Sequence, residues 1–97
     1  MRKPSNDINV IREITKIADG IIYNYVLFSS KSEQVASFKM PLYSIEVSMT
    51  KDGEVTRHVA RELFADVGKA ISFFEKIAQN LTTPIDLPYV IEDRINV

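Results

Sequence analysis

Between Leu42 and Thr50 the chain alternates strictly, with Tyr43, Ile45, Val47 and Met49 on one side and Ser44, Glu46, Ser48 and Thr50 on the other. A period of two is that of a half-buried strand. Lys51-Asp52-Gly53 follows, and its glycine supplies the positive φ that a tight hairpin turn needs. Glu54 to Ala60 then reads as the return strand, with Val55 and Val59 sharing one face. Its alternation is poorer, with Arg57 between the two valines, which indicates an edge position.

Ile21 to Ser29 is dense in β-branched and aromatic residues and reads as a strand apolar on both faces. Asp19-Gly20 before it is a second hairpin signal. The segment upstream is ambiguous. Val10, Ile11, Ile14, Ile17, Ala18 and Ile21 fit a helical stripe, with Asp7 as cap and Gly20 as the residue after the last turn. The β-branched density and the Asp-Gly turn favour a strand over residues 9–18, with the helix as the open alternative.

From Asp66 to Leu81 the pattern changes to steps of three and four: Val67, Ala70, Ile71, Phe74, Ile77, Ala78 and Leu81, with Phe73 beside the stripe. That is one apolar face of a helix. Asp66 is its expected N-cap, and Thr82-Thr83-Pro84 its expected end. Ile85 to Ile95 reads as a short helical segment capped by Asp86, with Leu87, Val90, Ile91 and Ile95 inward and Pro88 in the first turn. Residues 1–8 read as a frayed or disordered N-terminus, and Lys31 to Lys39 as a polar loop. The sum is one α+β domain over residues 9–97: a four-stranded antiparallel meander of two hairpins, one long helix on one face, and a short C-terminal helical segment.

Composition narrows the functional classes. Ninety-seven residues without cysteine leave no disulfide, thiolate nucleophile or zinc–sulfur site. Twelve basic against 13 acidic side chains give a net charge of −1, so no global field draws in nucleic acid or an anionic membrane. The basic start at Met1 to Lys3 is followed by no apolar run of signal-peptide length, and Tyr25 to Phe28 is far short of a membrane span. The expectation is a cytoplasmic protein without cofactor, metal, nucleic-acid or membrane partner.

One histidine excludes a triad or a two-histidine metal site within the chain. His58 is the candidate general base, beside a carboxylate such as Glu46 or Glu62; as a plain surface residue it is solvated or paired across strands. Arg57 and Arg61 project from one strand roughly 13 Å apart at the strand rise. With Lys51 they can bind a phosphate or carboxylate, or they are ordinary edge-strand charge. Asp86, Glu92 and Asp93 match no cation-loop spacing and read as capping and solvated groups. Tyr23, Tyr25, Tyr43 and Tyr89 lack the interleaved cations of a base-stacking platform and read as core-rim aromatics. No phosphate loop, dinucleotide fingerprint or serine elbow is present.

Tyr23-x-Tyr25-x-Leu27, Leu42 to Val47, Asp52-Gly53-Glu54, the helix with Phe73-Phe74, and the run Asn80-Leu81-Thr82-Thr83-Pro84 through Val90-Ile91-Glu92-Asp93 carry a family pattern. Over about residues 20–95 it resembles small uncharacterised proteins of anaerobic clostridial bacteria, a domain of unknown function. The resemblance implies a stand-alone cytoplasmic domain with no assigned activity and no catalytic residues to carry over. The family tends to have glycine where Ser44 stands.

Two readings follow. One is a small non-enzymatic interaction module, with self-association as a homodimer or an unknown protein as partner, because one helix covers one face of a sheet whose strand at Ile21 to Phe28 is apolar on both. The alternative is a small ligand- or anion-binding protein or enzyme that uses His58 and Arg57/Arg61 on the open sheet face.

Overall fold

The computed structural model describes residues 8–31 and 41–95. The readings of a frayed start and of a loop at Lys31 to Lys39 fall on or beside residues outside that description. The described residues form β1 (Asn9–Ala18), β2 (Ile21–Lys31), β3 (Pro41–Lys51), β4 (Glu54–Phe64), α1 (Val67–Gln79) and α2 (Leu87–Ile95). The four strands lie in chain order, all neighbours antiparallel, so β1 and β4 are the edges. This is the expected α+β meander with two helices. The expected long helix is a correction: α1 has 13 residues, starting at Val67 and ending at Gln79.

Both hairpins close through two residues with positive φ, Asp19 (53°) and Gly20 (79°) in the first, Asp52 (53°) and Gly53 (82°) in the second. Ala18 pairs with Ile21, and Lys51 with Glu54. Two positive φ values in a two-residue loop define the type I′ turn, whose twist matches that of paired strands. Aspartate tolerates this conformation and glycine adopts it without strain. Both turns therefore sit at one end of the sheet.

The segment open to two readings is a strand, and its helix-like spacing has a cause. The β1–β2 register shifts between Val10 and Arg12, a bulge at Ile11. Ile11 and Ile14 both pack against the core, although strict alternation would send them to opposite faces. A bulge thus produces the step of three that imitates a helix.

Registered pairs share a face, so Tyr25, Val47 and His58 face one way, as do Leu27, Ile45 and Ala60. Tyr25, Leu27, Ile45 and Val47 are fully buried there against Ala70, Phe73, Phe74, Ile77 and Ala78 of α1 and against Leu87 of α2. Burial of each large apolar side chain is worth about 1.5–3 kcal/mol. Asp66 caps α1 as expected, its Oδ2 accepting from the Lys69 N–H at 2.9 Å. Phe73 belongs to the buried stripe and stacks at a tilt on Phe64, with ring centroids 5.5 Å apart, whereas Val67 is exposed. The stripe is therefore found as expected at Ala70, Phe74, Ile77 and Ala78, widened by Phe73 and without Val67.

At the end of α1, Leu81 N–H donates to Ala78 O and Thr82 N–H to Ile77 O, with Leu81 at φ 51°. That is a Schellman termination with leucine in the place that glycine usually takes. It delivers Thr82, whose carbonyl accepts the Tyr25 hydroxyl at 2.9 Å in the buried interior. In α2, Leu87 is buried and Val90 and Ile91 half-buried, as expected; the side chain of Ile95 lies outside the description. Asp86 opens α2 through its carbonyl, which accepts from Tyr89 and Val90.

β4 carries its own irregularity between Ala60 and Phe64, opposite Tyr43 to Ile45. Glu62 there has φ 54°, and its N–H donates to Ser44 Oγ at 2.8 Å. Ser44 is almost fully buried. Ser44→Ala leaves that N–H without its acceptor and is expected to cost about 1–2 kcal/mol. Glu62→Gly relieves the left-handed strain and is expected to stabilise by about 1 kcal/mol. Urea denaturation of the two variants at neutral pH measures both signs.

Candidate functional site

The register divides the candidate residues between two surfaces. His58 lies opposite Val47 and therefore on the helix-bearing face, where it is half-buried. Arg57 lies opposite Ser48, on the open face, and Arg61 follows Ala60 at the start of the β4 irregularity. His58 and Arg57 stand on opposite faces, as alternation along a strand requires, and the placing of His58 on the open face is corrected: its side is the one that carries the helices. Among the described residues His58 has no hydrogen bond or ion pair, and neither Glu46 nor Glu62 stands beside it as an orienting carboxylate. Glu46 lies on the other face.

Arg57 is engaged within the chain. Its Nε lies 2.9 Å from Glu46 Oε2, a diagonal neighbour on β3. The pair is more than half exposed on the arginine side, so its contribution to stability is small. Arg61 and Glu13 are exposed and carry no ion pair among the described residues.

The open face reads in rows across β1 to β4. Nearest the turns stand Ile17, Ile22, Thr50 and Val55; next Thr15, Asn24, Ser48 and Arg57; then Glu13, Val26, Glu46 and Val59. Thr15 Oγ1 donates to Asn24 Oδ1 at 2.9 Å within the second row. In the first row Ile17, Ile22 and Val55 are 73%, 42% and 56% exposed. Farther from the turns Phe28 and Ser44 are buried on this side. A shallow concavity of about 310 Å³ lies on the helix-bearing face beside the second turn, lined by Met49, Lys51, Asp52, Glu54 and Thr56. Its one cation stands between two acids and no aromatic wall closes over it.

No group of three or more histidine, aspartate or glutamate side chains is placed to hold a metal ion among the described residues. Asp86, Glu92 and Asp93 are exposed on or beside α2. No helix of the described residues is long and apolar enough to cross a membrane.

The profile of a family of unknown function, DUF6514, matches residues 6–97. The chain belongs to that family. No curated protein and no solved structure matches it. Membership covers the sheet and both helices of this DUF6514 chain and, like the resemblance seen in the sequence, assigns no activity.

Three residues act here in ways that the sequence does not show. Glu13 is an exposed acid on an edge strand, legible only once the register of β1 is known. Ser44 was noted for a family glycine, not for the acceptor it provides. The Tyr25 ring is in the core as expected, but its hydroxyl, expected at the rim, is buried and satisfied inside. Burial pushes the Tyr25 phenol up from 10.0 to about 12, with a further contribution from Tyr23 beside it. Its linkage to stability has a definite sign. Below pH 10 both folded and unfolded tyrosine are neutral and the contribution is complete; between pH 10 and about 12 the unfolded state ionises first and stability falls. Tyr25→Phe is expected to cost about 1 kcal/mol at pH 8. Its deficit relative to the unmodified chain should narrow as pH rises through that window, as urea midpoints at pH 8, 10.5 and 11.5 will register.

Proposed function

We propose that this chain is a small non-enzymatic protein-binding module of the cytoplasm, whose docking surface is the sheet face turned away from α1 and α2. The observation that carries the reading is the row across the sheet in which Ile17 and Ile22 stand side by side and Val55 follows beyond Thr50, three β-branched apolar side chains left exposed. An exposed apolar strip rimmed by polar residues is what a protein partner covers. The surrounding Thr15, Asn24, Ser48 and Thr50 supply short hydroxyl and amide groups that reach a partner at little entropic cost.

Catalysis is disfavoured by placement. The single imidazole is on one face and the Arg57 guanidinium on the other, so the base and this anion-binding group do not converge. An anion-binding alternative keeps Arg57 and Arg61 alone, and an incoming anion must displace Glu46 from Arg57.

Hydroxyl-radical footprinting in concentrated cell extract and in dilute purified protein tests the docking surface. Ile17, Ile22 and Val55 should be protected several-fold in extract relative to exposed Ile85 and Tyr89 on the other side. Equal labelling in both conditions overturns the reading.

A further inference from the structure

We infer that the occupant of this face is a second copy of the chain, packed sheet on sheet about a two-fold axis that runs parallel to the strands. The inference rests on the docking reading above and assigns its partner. Charge placement carries it. Three ionisable side chains are registered on the open face, Glu13 on β1, Glu46 on β3 and Arg57 on β4, with Arg61 and Glu62 following in the β4 irregularity. Arg57 engages Glu46, so an unpaired acid stands on one edge strand and the basic side chains on the other.

A two-fold interface must be self-complementary, because the same patch supplies both sides. An axis parallel to the strands lays β1 of one copy over β4 of the other at the same height. Glu13 then stands over Val59 of the second copy, between Arg57 and Arg61, each about 6.7 Å away along that strand. The apolar row falls on itself, with Ile17 over Val55 and Ile22 over Thr50. An axis across the strands lays β1 on β1 and β4 on β4, which sets the acid edge against itself and the basic edge against itself, so charge selects the first arrangement. Twist leaves the two sheets at about −30°, the aligned packing of sandwiches.

Size sets the affinity class. Four strands about 4.8 Å apart offer, over the three rows between the turns and Glu13, about 400 Å² per copy, or about 800 Å² in all. That is below the standard size of specific interfaces, which suits a weak dimer that forms only at high micromolar concentration.

The test uses the full chain. Sedimentation equilibrium from 1 to 300 µM should show a monomer–dimer equilibrium, weakened at least tenfold by Glu13→Arg and by Arg57→Glu, and restored when both changes are in one chain. The absence of native cysteine allows a second measurement. Ile17→Cys with Val55→Cys places two thiols three strand spacings apart, about 14 Å, too far for a disulfide within one chain. Mild oxidation should therefore give a covalent dimer, and neither single variant should give the same yield. A monomer throughout the concentration range overturns the second-copy inference. Protection of Ile17, Ile22 and Val55 in extract would in that event leave the docking reading standing with a different partner. A dimer indifferent to both charge reversals, without the cross-link, overturns the axis.

Discussion

One short helix cannot cover a wide sheet, and most of this molecule's properties descend from that mismatch. Thirteen helical residues span about 20 Å, whereas strands of 11 residues run about 36 Å. The helix lies against β2, β3 and β4, and the core is densest beneath it, at Tyr25, Leu27, Ile45 and Val47. Cover over the rest of that face comes from α2 and the connection before it, secured by the Tyr25 hydroxyl on the Thr82 carbonyl. A single bond between a strand and a loop therefore helps hold the second helix over the sheet. The reverse face receives neither helix.

The sequence was informative where local rules act alone. The Asp-Gly turns, the alternation of β3 and the Asp66 cap are each decided by a few adjacent residues, and each is found as expected. It was ambiguous where tertiary packing intervenes. The bulge at Ile11 moves one isoleucine out of phase, and the resulting spacing of three is indistinguishable from a helix until the partner strand is known. The irregularity at Glu62 left no trace, because glutamate is not a residue that signals positive φ. The helix stripe is found as expected at Ala70, Phe74, Ile77 and Ala78, except that Val67 is exposed and Phe73, facing Phe64, widens the buried side.

The candidate chemistry was legible as a set of residue types and not as a geometry. His58 and Arg57 are neighbours in the chain and therefore divided by the pleat, so proximity in sequence counts against a shared site on a strand. Glu46 escaped notice as a partner of Arg57 because their pairing is a diagonal across two strands. The exposed apolar row of Ile17, Ile22 and Val55 is assembled from three strands and has no linear signature.

The strand order β1-β2-β3-β4 carries a kinetic consequence. Every sheet contact joins segments consecutive in the chain, and two of the three pairings close through pre-formed turns. Hairpins of this kind zip within microseconds, faster than distant elements can find one another. The sheet is thus able to assemble before α1 and α2 dock. Since the reverse face needs neither helix, its side-chain pattern can be complete as soon as the strands are paired, before the core beneath the helices closes.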